Sequence, residues 1–192
     1  MRINIPTLLT LSRIAVIPVF VIVYYLPVHW ANVACTALFI VAAITDWLDG
    51  YIARKFSLMS RFGAFLDPVA DKLMVTVVLI LLVDKNPTTY PDIFLTVPAV
   101  IIVGREITIS ALREWMAELG EQGKVAVSYI GKVKTTAQLV ALPMLIYREP
   151  LFGEIPVVTI GFFLLYLAAI LTMWSMFVYI RASWPTMKNN AD

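Results

Sequence analysis

Between Ile14 and Thr45 the chain carries no formal charge, and the polar and proline interruptions cluster at Pro27, His29, Trp30 and Asn32. A helix needs about 20 predominantly apolar residues to cross the hydrocarbon core of a bilayer. The stretch therefore reads as two spans, one ending near Leu26 and one starting near Trp30, joined by a short outside turn. The second span runs to about Arg54, and a third covers about Phe62 to Val83. Asp84-Lys85-Asn86-Pro87-Thr88-Thr89-Tyr90-Pro91-Asp92 is a polar loop marked by prolines. A fourth span follows from about Ile93 to Met116, then the longest polar stretch, Glu118 to Lys124. A fifth from about Val127 to Tyr147 and a sixth from Ile155 to Ile180 complete the pattern. It predicts an all-α integral membrane protein, one membrane-embedded domain over 1–192 with six transmembrane helices.

Composition agrees with lipid as the main solvent. Hydrophobic residues make up 60% and charged residues 15% of the chain, and the mean hydropathy is +0.84, whereas soluble domains are roughly half apolar and about a quarter charged. A net charge of +2 without any basic run gives no nucleic-acid footprint. The single cysteine, Cys35, excludes an internal disulfide and reads as a small packed side chain. The opening Met1-Arg2-Ile3-Asn4-Ile5-Pro6 lacks the layout of a cleaved signal peptide and reads as retained. Arg2, Arg54, Lys55, Arg61, Arg113, Lys124, Arg181 and Lys188 fall on one side of the six spans, and Lys85 and Arg148 on the other. Lys and Arg in short loops stay in the cytosol, so both termini are expected there. Trp30, Tyr90, Tyr147, Trp174 and Tyr179 fall near span ends, as interfacial aromatics do.

Ionisable residues within the spans change the picture most. A charge in a membrane helix costs several kcal/mol, and its usual reason is a functional site facing the bundle interior. Asp46 and Asp49 lie at i and i+3 of the second span, and Asp67 and Asp71 at i and i+4 of the third, each pair on one helical face. At 1.5 Å per residue Asp46 lies roughly 24 Å from Trp30, and Asp67 and Asp71 roughly 8 to 14 Å from Phe62. In antiparallel helices these depths coincide near the cytosolic edge. Four converging carboxylates call for a cation, and all-oxygen ligation without His or Cys points to Mg²⁺ or Mn²⁺, with Ca²⁺ open and zinc disfavoured. Asp67 followed by Pro68 also has the pattern of a helix N-cap, but capping does not explain Asp46, Asp49 and Asp71 together.

Read continuously, Asp46-x2-Asp49-Gly50-x2-Ala53-Arg54-x8-Gly63-x3-Asp67-x3-Asp71 matches the signature of the CDP-alcohol phosphotransferases, and the chain is identified as resembling that family. The segment Asn4 to Arg13, which includes Thr10, looks like the family's entry segment, with Thr7 where many members have Asn. Arg105-Glu106-x3-Ser110-x2-Arg113 and Gly131-Lys132-Val133-Lys134-Thr135 resemble the branch that makes phosphatidylglycerol phosphate. The resemblance implies a six-helix fold, usually a homodimer, in the bacterial inner membrane with its active site facing the cytosol. It implies transfer of a phosphatidyl group from CDP-diacylglycerol to glycerol 3-phosphate, with release of CMP. Two metal ions would be held by Asp46, Asp49, Asp67 and Asp71, and Asp71 would also accept the proton of the attacking hydroxyl. Gly50, Ala53, Arg54, Ser60, Gly63 and Thr10 would contact CDP-diacylglycerol.

A phosphorylated acceptor needs a cationic pocket beside the metals. Arg105 and Arg113 share one broad face of the fourth span, and Lys132 and Lys134 enter the fifth. Lysines at i and i+2 point to different faces, so only one of them is expected to touch phosphate. Arg105 has a second reading as an ion pair with Glu106, Arg54 one as a positive-inside anchor, and Lys72 reads as pairing locally or reaching lipid phosphate. Other acceptors within the family (serine, an inositol phosphate or a second phosphatidylglycerol) stay open, and the cationic cluster favours a phosphorylated one. Intramembrane prenyltransferases also hold diphosphates on aspartate-rich sites, but their spacings differ. A divalent-cation transporter would place its carboxylates near the midplane instead of the edge.

Overall fold

The computed structural model describes residues 5–56, 61–121 and 129–189. The side chains of Asp49, Ala53, Arg54, Asp67 and Lys132, and Ser60 altogether, lie outside the described part. Among the described residues are six helices: α1 (Ile5–Tyr25), α2 (Ala31–Phe56), α3 (Arg61–Asp84), α4 (Ile93–Glu118), α5 (Tyr129–Tyr147) and α6 (Val157–Asn189). The other regular feature among them is an isolated antiparallel bridge between Leu151 and Ile155.

Four stretches, Thr7–Tyr25, Ala31–Leu48, Ile93–Glu118 and Val157–Lys188, are long and apolar enough to cross a bilayer. The protein is thus a multi-pass membrane protein. Its surface agrees: Ile22, Trp47, Ile80, Val100, Phe163 and Ile170 are all more than half exposed. Large exposed apolar patches are a liability in water and the expected lining against lipid.

The helices pack as a closed ring in the spatial order α1, α2, α5, α6, α4, α3, with α3 and α5 also touching across the middle. Phe20, Cys35, Phe39, Leu79, Ile102, Leu142 and Leu165 fill its interior. Cys35 is fully buried with its Sγ 3.8 Å from the Phe20 carbonyl oxygen, the packed side chain that the sequence suggests.

Lipid tails are as apolar as Leu, so helices associate in a membrane by close fit, and small residues serve that best. The α5–α6 pair shows this at Gly161, where an added Cβ would stand 2.9 Å from Met144 Cβ and 3.1 Å from the Ala141 carbonyl oxygen. Neither atom is the free end of a flexible side chain. Gly161→Val should cost about 1–3 kcal/mol by forcing the pair apart. The unfolding midpoint in detergent should fall, and an unchanged midpoint would refute the tight contact.

One helix end agrees with the pattern read in the sequence and one differs. α3 begins at Arg61 and holds Pro68 inside the helix, so Asp67 is not its N-cap. Six residues of helix precede Asp67, and the break that proline makes in the hydrogen-bond ladder is absorbed within the turn before it. α6 continues to Asn189, beyond the expected end at Ile180. Helical hydrogen bonds lie within the backbone itself, so the helix carries on through Arg181 and Lys188 beyond the apolar run.

The two ends of the ring are both polar but differ in kind. At one end Arg148, with φ of 67°, donates from Nη2 to Tyr24 Oη at 2.7 Å and to the Lys85 carbonyl at 2.9 Å. Tyr24 donates to the Leu81 carbonyl at 3.0 Å, and Tyr25 to Asp84 Oδ2 at 2.7 Å. These bonds staple α1, α3 and the end of α5 together. Asp46, Asp71 and Glu106 lie at the other end.

Candidate active site

Arg13 of α1, Asp46 of α2 and Asp71 of α3 line a cavity of about 100 Å³ whose other walls include Phe39, Ala42 and Met74. The Arg13 guanidinium donates to the Asp46 carboxylate. α1 sits between α2 and α3 in the ring, so the aspartates of α2 and α3 meet across a cavity instead of through direct helix contact. The cavity shares Phe39, Ala43 and Leu139 with an apolar groove between α2 and α5 that is bordered by Ile40, Ile44 and Trp47. The first cavity therefore adjoins the lipid-facing surface.

A second cavity, of about 240 Å³, is lined by Asp71, Lys72, Arg105, Glu106, Arg113 and Lys134 among others. It shares Asp71, Val75, Thr135 and Leu139 with the first. Asp71, whose side chain is exposed, therefore opens on both. Among the described side chains, the lining of this second cavity carries four cations against two carboxylates. The surplus of two positive charges matches the charge of a phosphate monoester dianion.

The cations are held by design of the helices around them. Glu106, next to Arg105 on α4, accepts from Arg105 Nη1 at 3.0 Å and from Lys134 Nζ at 2.5 Å. Arg105 and Lys134 are each about 95% buried, and an uncompensated charge at that depth would be costly. The Glu106 pairing read from the sequence as an alternative for Arg105 is present, and Arg105 lines the cavity as well. The Nε atoms of Arg105 and Arg113 are buried without a hydrogen-bond partner, a departure from the rule that buried donors are satisfied.

Of the residues singled out in the sequence, the structure brings together Asp46 and Asp71 in one cavity, and Asp71, Arg105, Arg113 and Lys134 in the other. Thr10 and Gly63 are buried and Gly50 is partly buried, and none of the three is among the lining residues of either cavity. The proposed roles of Asp49, Asp67, Ala53, Arg54, Ser60 and Lys132 fall outside the described side chains. Among the described residues no three acidic, His or Cys groups converge as a metal site.

Sequence reasoning missed four participants. Arg13 appears there only as the end of a motif, yet it lies against Asp46. Lys72 lines the cationic cavity beside Asp71 and Glu106, a place the sequence reading did not give it. Tyr179, read as an interfacial aromatic, is 4% exposed and lies against two arginines, and Ser175 accepts a hydrogen bond from Arg105. The available signal was the spacing Thr172, Ser175, Tyr179, Ser183, Thr186, a buried polar stripe at helical period along an otherwise apolar α6.

A model of the CDP-alcohol phosphatidyltransferase family matches residues 3–174, the ring from α1 to the middle of α6. The chain belongs to the CDP-alcohol phosphatidyltransferase family. As an enzyme of this family it has close relatives over nearly its full length. It is 54% identical to the CDP-diacylglycerol--glycerol-3-phosphate 3-phosphatidyltransferase of Pectobacterium atrosepticum, over 95% of this chain and 96% of the relative. It is 52% identical, with the same coverage, to proteins of that name from Shigella flexneri serotype 5b and Escherichia coli K12. An enzyme of a phosphatidyltransferase family must bring a phosphatidyl donor and an alcohol acceptor to one point.

Proposed function

We propose that the protein transfers the phosphatidyl group of CDP-diacylglycerol to sn-glycerol 3-phosphate, giving phosphatidylglycerol phosphate and CMP. The observation that carries this reading is Asp71 at the junction of two unlike cavities, one adjoining an apolar groove and one with a surplus of cations. The relatives' names point to the same reaction.

The acceptor's phosphate would lie among Arg105, Arg113 and Lys134, which directs its terminal hydroxyl, the farther of its two, toward Asp71. The donor's diphosphate would lie on the Asp46 side with its acyl chains along the groove between α2 and α5. Asp71 accepts the hydroxyl proton as the oxygen attacks the lipid-bearing phosphorus. A new P–O bond forms to glycerol, the P–O bond to CMP breaks, and CMP leaves with the electron pair. Buried guanidinium groups suit this task because their forked donors match phosphate oxygens.

The family's divalent metal fits the donor set. Asp46 and Asp71 are hard oxygen ligands facing one cavity, and the Arg13 pairing at Asp46 shows that positive charge is favoured there. Mg²⁺ or Mn²⁺ held by Asp46, Asp49, Asp67 and Asp71 would neutralise charge on the diphosphate. The same reading has all six helices spanning the bacterial inner membrane, both termini and both cavities on the cytosolic side, and the chain acting as a homodimer. The Arg148 staple, near Lys85, then marks the outer end.

Purified protein with CDP-diacylglycerol, Mg²⁺ and each acceptor in turn tests the reading. CMP should appear with glycerol 3-phosphate, not with serine or an inositol phosphate, and a chelator should stop it. Failure to release CMP with glycerol 3-phosphate would refute the assignment.

A further inference from the structure

Arg105 and Arg113 come from one helix, two turns apart, and carry like charges toward one cavity. Long flexible side chains so placed would spread away from each other into separate rotamers. In the structure both are gathered onto α6. The Tyr179 ring centroid is 5.7 Å from the Arg105 guanidinium carbon and 5.4 Å from that of Arg113. Both lie within the range where a cation is drawn to an aromatic face. Arg113 Nη2 also donates to Tyr179 Oη at 3.4 Å.

One turn earlier on the same helix face, Ser175 Oγ donates to the Thr172 carbonyl at 2.9 Å. Its proton is thereby committed, and its lone pairs accept from Arg105 Nη2 at 3.2 Å. Ser175 is 2% exposed, and Tyr179 is fixed from below by Ile109, Leu112 and Met116 of α4. Neither residue is among the cavity's lining. Both lie beyond residue 174, where the family match ends.

We propose that Tyr179, with Ser175, is a positioning element for the acceptor: α6 holds the guanidinium groups of Arg105 and Arg113 in one fixed arrangement for a phosphate dianion. This rests on the reading that these arginines receive the acceptor's phosphate. The ring attracts each cation without neutralising it, so the cavity keeps its positive surplus for the ligand. A carboxylate at the same place would organise the arginines but compete with phosphate for them. Tyrosine organises without competing.

The test uses the full chain in detergent micelles, with CMP release followed at saturating CDP-diacylglycerol while glycerol 3-phosphate is varied. Tyr179→Leu should raise the KM for glycerol 3-phosphate about tenfold, the scale of a lost cation–aromatic contact, with kcat within about twofold. Tyr179→Phe keeps the ring and should restore most of the affinity, leaving KM within about threefold of the parent. The KM for CDP-diacylglycerol should not move in either. Equal changes in kcat and both KM values, or no rescue by Phe, would assign Tyr179 to packing alone and overturn the proposal. Should Tyr179→Leu not fold, Ser175→Ala decides, because it removes one small oxygen and leaves the packing in place. It should raise the acceptor KM about threefold, and an unchanged KM would overturn the proposal. Arg113→Ala separates the two levels. If it leaves the acceptor KM unchanged, the acceptor-pocket reading fails and this proposal with it. If it raises that KM while the α6 variants do not, this proposal alone fails.

Discussion

Asp71→Asn should fold normally and lose about a thousandfold in kcat, within the range for removing a positioned general base. Asparagine matches the carboxylate in shape but cannot take up a proton at the amide. The side chain is exposed to two cavities and is not packed in the core, so little stability is at stake. The KM for glycerol 3-phosphate should change little, because the proposed reading places the phosphate among the arginines and Lys134 and not at Asp71. Initial rates of CMP release across acceptor concentration, beside a thermal melt of the variant, make the check. A fall of less than tenfold would remove the proton-accepting role.

Glu106→Leu should produce the largest loss of stability in the cavity region. Glu106 is the acceptor for both Arg105 and Lys134, which are almost fully buried. Breaking a buried ion pair by removing one partner costs about 3–5 kcal/mol, since the remaining charge is left uncompensated. For a chain of this length that corresponds to a fall of about 10 °C in the unfolding midpoint. An added anion should fill the gap, so inorganic phosphate should recover part of the midpoint in the variant by binding only the folded state. An unmoved midpoint would mean that the two cations do not depend on Glu106 for compensation.

How much of this was legible in the sequence depends on which force fixed each feature. Helix positions were readable because lipid punishes charge and the breaks fall at Pro27, at Pro87 and Pro91, and at the Glu118 to Lys124 stretch. Asp46, Asp71, Arg105, Arg113 and Lys134 were readable for the same reason, since an ionisable group in a span needs a purpose. The order of the helices around the ring was not. Close fit at places such as Gly161 decides it, and an apolar pattern looks the same whichever neighbour it meets. Tyr179 was misread because a tyrosine near a span end has two good uses, and only the arriving arginines of α4 show which applies. Arg13 was missed because its partner lies 33 residues away on another helix. Pro68 did not mislead, since the span was read from about Phe62 and α3 starts at Arg61, with the proline inside the helix and not at the first turn that it usually prefers.

The shared wall at Asp71 has a consequence for how the two reactants reach each other. CDP-diacylglycerol is anchored in the bilayer by its acyl chains, with its charged headgroup at the surface, whereas glycerol 3-phosphate is dissolved in the water. In the proposed reading each has its own doorway, the groove beside α2 and α5 for the one and the cation-lined cavity for the other, so that neither molecule has to change solvent. Neither has to wait for the other to vacate a common entrance. On that reading the frontier between the two routes is a wall of four side chains, Asp71, Val75, Thr135 and Leu139, and Asp71 is the one ionisable group in it.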